Sequence, residues 1–252
     1  ARRAAEKALS IDPNLAAAHA ALGHIKLQYD HDSVAAGREY DRAVELDPTL
    51  ALTYHRQGLL YAMRGDIDRA LSASERAQRI EPLWLGARGA TANYLYYARR
   101  YDESIRSAEK VLALDDRADN ARATLIRNLI AKGEFARAIA IYDERPLQTP
   151  GSNAFRAQAL ALAGQRTEAI AELDRVMKKS QQRYVAAYDI ALIHAALADT
   201  EQTLLWLERA LEDRSTLMVF LAQDPSFDAL RSDARFESLV QRVGVYKETL
   251  SR

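Results

Sequence analysis

The chain has 252 residues, with 35 basic and 35 acidic side chains and no formal net charge. That balance argues against generic nucleic-acid binding, which needs a surplus of Lys and Arg. It is 48% apolar with only 10 Gly and 6 Pro, the composition of a chain with a core rather than of a linker. Cysteine is absent, which rules out disulfides, thiolate metal sites and cysteine nucleophiles, and no apolar run approaches the roughly 18 to 20 residues of a membrane span.

Taken in order, the chain opens inside a helical pattern. Residues 1–13 read as one amphipathic helix that stops at Pro13. A longer unit then recurs. In 16–48, Leu22 and Gly23 lie on one helix, Ala36, Tyr40 and Ala43 lie on a second, and Pro48 ends it. In 51–82, Tyr54, Gly58 and Tyr61 share a helix face, Gly65 and Asp66 break the helix, and Ala70, Ser74 and Ala77 line a second helix that ends at Pro82. Pro13, Pro48 and Pro82 stand 35 and 34 residues apart, and the one extra residue falls most simply in the turn Tyr29-Asp30-His31-Asp32. Units at 85–116 and 119–150 follow the same period, although Ala92 replaces the first-helix glycine and Arg99 the turn glycine of the former. Pro146 is expected to cut the second helix short and leave an irregular loop from Arg145 to Gly151, with Pro150 closing the unit.

A fifth unit at 151–181 starts early, its first helix near Ser152. A sixth at 185–215 carries Tyr188, Ala191 and Leu192 on its first helix, with Asp199 at the turn and Leu204, Glu208 and Leu211 on its second. From Thr216 the period stops. Asp224-Pro225 and Ser232-Asp233 read as helix starts and Gly244 as a stop. The segment 216–252 is therefore expected to be a C-terminal helical cap over the apolar face of the last unit.

A helix-turn-helix unit of about 34 residues with small residues at fixed places resembles the tetratricopeptide repeat. Tyr54 stands at the family's tryptophan position, Gln57 and Gly58 at its Leu-Gly pair, and Tyr61 at its tyrosine position. Ala70, Ser74, Ala77 and Pro82 stand at its second-helix positions. Neither Trp84 nor Trp206 occupies the family's tryptophan position. The resemblance implies an all-α, right-handed superhelical solenoid of antiparallel helix pairs: a half repeat, six whole repeats and the cap. The run AYDIALIHAALADTEQTLLWLERALEDRS also resembles C-terminal repeat regions of multidomain bacterial signalling proteins, which carry winged-helix, kinase or cyclase domains. The chain then reads as a regulatory piece of a longer protein. The absence of cysteine suits the cytoplasm, with the periplasm as the alternative if a membrane span lies upstream.

Nothing in the sequence points to catalysis or to a metal or cofactor. His19 and His24 are five residues apart, about 140° round a helix. The cluster Asp30-His31-Asp32 reads as a solvated loop, and no P-loop, GxGxxG, HExxH or GxSxG motif is present. Gly86 and Gly89 fall inside a helix, where they leave room for a ligand or for close packing.

In the solenoid the resemblance implies, first helices line the concave surface, and the residue after the glycine position points into the groove. That column reads His24, Leu59, Asn93, Arg127, Gln158 and Ile193, and neighbouring positions add His55, Tyr96, Asn120 and Asp189. The expected ligand is a protein or peptide. Asn93 would hold its backbone, Arg127 would pair with a carboxylate, and Tyr96 would offer a flat face with a polar tip. A small-ligand sensor is the alternative. Self-association through Ala4, Ala8, Leu9 and Ile11 of the half unit is also open.

Overall fold

A computed structural model describes residues 1–145, 147, 152 and 154–243. Among these there is no strand. The helices are α1 (Arg2–Ile11), α2 (Ala16–Gln28), α3 (Ser33–Leu46), α4 (Ala51–Met63), α5 (Ile67–Ile80), α6 (Leu85–Tyr97) and α7 (Tyr101–Leu114), then α8 (Asp119–Ala131), α9 (Phe135–Glu144), α10 (Phe155–Leu162), α11 (Arg166–Ser180), α12 (Ala187–Ala196) and α13 (Thr200–Glu212). Two 3₁₀ helices, Thr216–Phe220 and Pro225–Leu230, lead to α14 (Ala234–Val243). The expected breaks at Pro146, Pro150, Gly151 and Gly244 lie outside the described residues.

The helices are consecutive antiparallel pairs, and small residues at the crossings decide how close each pair comes. Ala36, Ala43, Ala70, Ala77, Ala108 and Ala138 are fully buried. A Cβ on Gly23 would lie 2.6 Å from the Tyr40 ring, and one on Gly58 would lie 3.0 Å from the Tyr94 hydroxyl and 3.2 Å from the Ala70 carbonyl. Each first helix also packs on the next: α2 on α4, α4 on α6, α6 on α8, α8 on α10 and α10 on α12. The second helices make no comparable row. The stack therefore curves with its first helices on the inside, a helical solenoid.

The turns within pairs are built alike. One residue takes a positive φ at each: His31 (54°), Gly65 (77°), Arg99 (61°), Gly133 (79°), Gly164 (80°) and Ala198 (58°). The next amide bonds back to the first helix, as Asp66 does to the Tyr61 carbonyl, Arg100 to Leu95, Glu134 to Leu129 and Asp199 to His194, the pattern that satisfies a helix's last carbonyls. Asp32 reaches back one residue further, to Lys26, so the extra residue of the first unit sits in this turn. Asp32, Asp66 and Asp199 then cap the following helix, accepting from Ala35 N (2.9 Å), Arg69 N (3.3 Å) and Gln202 N (3.1 Å).

Two local expectations change. The first helix of the fifth unit begins at Phe155, not near Ser152, whose hydroxyl donates instead to the Leu147 carbonyl at 3.2 Å. The C-terminal segment does more than cover the last unit. It does pack there, with Phe227 edge-on to Tyr188 at 5.5 Å and α14 against α13. It also folds back across the turns of the early units. Phe220 stacks on Tyr97 with centroids 4.1 Å apart and Arg99 forms a two-pronged pair with Asp228 at 2.5 and 2.7 Å, while Arg214, at the end of the sixth unit just before the segment, donates to the Tyr29 carbonyl at 3.3 Å. The reason is apolar area: Met218, Val219, Leu221 and Phe227 are all fully buried, more than the end of one helix pair can cover.

Candidate functional site: a cup on the concave face

The first helices are amphipathic in an unusual sense. In α4, α6 and α8 both long faces are packed, and only a narrow inner stripe is open. In α4 that stripe carries His55 and Leu59, in α6 Gly89 and Asn93, in α8 Ala123 and Arg127. Together with Gln158 of α10 and residues of the C-terminal segment they enclose a cavity of about 600 Å³. Leu217, Asp224 and Ser226 reach it from the side of the helix-pair turns, so the cavity is a cup with a floor rather than an open channel.

The floor is organised by Asp224. Its carboxylate accepts from Tyr188 Oη at 2.9 Å, from its neighbour Ser226 N at 3.0 Å and from Tyr96 Oη at 3.5 Å. Arg127 Nη2 lies 3.8 Å from it. The Arg127 guanidinium lies 4.0 Å over the Tyr96 ring and 5.0 Å over Tyr97, and Nη1 donates to Asn93 Oδ1 at 3.3 Å. Burial works against the Arg127 charge, but Tyr97, Tyr96 and Asp224 outweigh it and move its pKa above its ordinary value. Burial likewise raises the hydroxyl pKa of Tyr96, and it pushes that of Tyr97 up to about 12. The floor is thus a neutral phenol and ion-pair network. Gln158 Nε2 extends it by donating to Ser226 Oγ at 3.0 Å.

Of the residues expected to meet a ligand, the fold brings His55, Asn93, Asn120, Arg127 and Gln158 to the cup. His24, one unit earlier on α2, is not among the residues that line the cup. Two expectations are corrected. Tyr96 offers no face to a ligand, because it is 2% exposed and lies under the Arg127 guanidinium. Asp189 is fully buried, because α12 is packed on nearly every side from Ala187 to Ile193. Arg127 was expected to take a ligand's carboxylate, and here the chain's own Asp224 stands beside it. Asp224 itself was read only as a helix start. It does cap Pro225–Leu230, but no local signal marks it as the partner of a side chain almost a hundred residues upstream. Among the described residues no cluster of three or more His, Asp or Glu side chains is placed to hold a metal ion, and no helix is long and apolar enough to cross a membrane.

Comparison with known families places these helix pairs. Two tetratricopeptide-repeat profiles match, one over residues 39–72 and one over 95–162. The chain is a tetratricopeptide repeat protein. Among solved structures, this repeat array is similar to a tetratricopeptide repeat protein from Parabacteroides merdae, at 15% identity and a TM-score of 0.66, covering 96% of this chain and 90% of that one. It is similar to PilF of Pseudomonas aeruginosa at 17% identity and a TM-score of 0.56, covering 90% and 97%. It is similar to yeast Tom70 at 17% identity and a TM-score of 0.58, covering 94% of this chain and 52% of that one. At these identities the likeness concerns the fold. No curated protein matches the repeat array by sequence at a significant level.

Proposed function

We propose that this repeat protein is a non-catalytic interaction module that receives part of a protein partner in the concave cup. One observation carries the reading: the inner stripe of α4, α6 and α8 stays open over about 600 Å³ and combines apolar walls with Asn93, Arg127 and Gln158. A compact concave site with a few convergent polar groups is the usual form of a binding site. The membership of the tetratricopeptide family supports a protein or peptide as the ligand. The resemblance of the last units to regulatory repeat regions supports a place in a larger bacterial signalling protein.

The floor favours a second reading within the same site. A cup closed by Leu217, Asp224 and Ser226 suits a chain end or a compact metabolite better than a peptide running through. Gly89 provides a clean test, since a Cβ there meets nothing within 4 Å. Gly89→Trp should fill the cup and leave the helix pairs in place. A lysate protein captured by the wild type and lost by folded Gly89→Trp supports the first reading. A metabolite that raises the melting temperature of the wild type alone supports the second. Equal behaviour of the two proteins in both assays would sink the cup as a binding site.

A further inference from the structure

Where α2, α3 and α4 meet, beside the wall of the cup that His55 also lines, a group of polar side chains has atoms that satisfy nothing within the chain. Arg56 on α4 is half-buried, and among the described residues it makes no hydrogen bond or ion pair; its Nη1 is buried without a partner. The Nδ1 atoms of His24 and His55 and the hydroxyl of Tyr40 are buried and unpartnered in the same way. The packing draws these four together. The Tyr40 ring lies on Gly23, the residue before His24. Helix α2, which carries His24, packs on α4, which carries His55 and Arg56. The Tyr94 hydroxyl donates to the His55 carbonyl at 3.2 Å and holds that end of α4 from the other side.

The charges around the group are one-sided. His24 feels Arg56 and His55, and His55 feels Arg56; no carboxylate acts on either. The charge felt by Arg56 is that of Tyr40, also without a carboxylate. The acids nearest in sequence on α3 are engaged elsewhere: Glu39 is held by His19 at 2.7 Å and Lys26 at 2.6 Å, and Asp41 accepts from Gln57 at 3.2 Å. A half-buried arginine with no counter-charge and a buried Nη1 is costly to fold around. A site that keeps one, with three further unpaired groups that can donate, is built for an anion that comes from outside.

We propose that Arg56, His24, His55 and the buried Tyr40 form an oxyanion site for a dianionic group, a phosphoryl group or sulfate, where α2, α3 and α4 meet. Arg56 supplies a permanent charge and a forked donor. Tyr40 supplies a hydroxyl. The two imidazoles, kept neutral by burial in the free protein, each take a proton when the anion arrives. That uptake makes the site selective for two negative charges over one, and binding strengthens as pH falls. The titratable and charged groups facing the site are His24 from α2, Tyr40 from α3, Arg56 and His55 of α4 itself, and Tyr94 from α6.

The test uses the whole chain and simple ions; His24 and Arg56 are not part of the cup lining, so their response is read separately from whether the cup takes a partner. Sulfate, phosphate and acetate are titrated separately while melting temperature and the His24 and His55 imidazole NMR signals are followed. Sulfate keeps its charge over the range, so its pH dependence reports the protein. Sulfate and phosphate should raise the melting temperature, shift both imidazoles towards the protonated form and bind at least tenfold tighter at mildly acid than at mildly alkaline pH. Acetate at equal ionic strength should do neither. Arg56→Met should abolish the response and leave the ion-free protein as stable as the wild type or more so, while Arg56→Lys should keep part of it. Imidazole signals unmoved by sulfate, a response equal in Arg56→Met, or acetate matching sulfate would each overturn the assignment. If Arg56→Met proves not to fold, His24→Phe with the same ion series decides in the same way.

Discussion

Gly58 and Gly89 are helical glycines with opposite reasons for their size. At Gly58 a Cβ would press on the Tyr94 hydroxyl and the Ala70 carbonyl; at Gly89 it would meet open space. Gly58→Leu should therefore cost about 1 to 3 kcal/mol through overpacking, while Gly89→Ala should stabilise by about 0.5 to 1 kcal/mol through helix propensity. Urea midpoints at constant slope measure both, and a destabilised Gly89→Ala would show that the stripe is packed rather than open. His24 makes stability depend on pH. Burial first, then Arg56 and His55, lower its pKa to about 4, against about 6.5 in the unfolded chain. Between those values the unfolded chain holds a proton that the folded chain lacks. Its contribution is present above about pH 6.5 and is lost as pH falls towards about 4, on the order of 2 kcal/mol after allowance for solvent screening. Burial depresses His31, His55 and His194 in the same sense. A urea midpoint that holds level from neutral to mildly acid pH would contradict this.

At the scale of the helix pair, the turn is the conserved device and glycine is one way to make it. Arg99 replaces glycine without changing the turn, since it takes φ 61° as Gly65, Gly133 and Gly164 take 77° to 80°. An L-residue pays about 1 to 2 kcal/mol for that conformation. At Arg99 the pairing with Asp228 offsets it. At Ala198 nothing does, since the methyl group is exposed at φ 58°. Ala198→Gly should stabilise by up to about 1 kcal/mol, the conformational relief exceeding the added entropy of the unfolded chain. Arg99→Gly should not, because it gives up the Asp228 pair. A thermal melt of the two variants side by side separates the accounts.

For the molecule as a whole, the C-terminal segment changes what kind of solenoid this is. A plain repeat stack is held by neighbours only, and its ends unfold independently. Here Arg214 reaches Tyr29, Asp228 reaches Arg99, and Asp224 sits between Tyr188 and Arg127, so late residues brace early units. Two single-tryptophan variants, Trp84→Phe and Trp206→Phe, should report one coincident unfolding transition, Trp84 from the middle of the array and Trp206 from its last unit. Asp224→Ala removes the centre of the brace and strands Arg127 and the Tyr188 hydroxyl, at a cost of about 3 to 5 kcal/mol. It should also split the transitions, with the Trp206 signal lost at a different denaturant concentration from the Trp84 signal. Coincident transitions in Asp224→Ala would show that the brace does not couple the last unit to the middle of the array.

The period of alanines, glycines and prolines determined the helix pairs and their order, because those features act within one turn or between adjacent helices. The same holds for the caps at Asp32, Asp66 and Asp199, each of which needs only the next three residues, and for the inner stripe, whose Asn93, Arg127 and Gln158 follow from helical spacing within each unit. What sequence spacing left open was settled by the curvature of the stack. Tyr96 points inward by its spacing yet is covered, and Arg127 meets a carboxylate of its own chain. Arg56 was passed over, because a half-buried cation without a partner is visible only once every acid around it has been placed. The carboxylate beside Tyr96 and Arg127 depends on where the segment from Thr216 onward folds back. That fold-back is driven by burial of Met218, Val219, Leu221 and Phe227 against units far away in sequence, and the hydrophobic effect that drives it has no direction and leaves no local spacing to read.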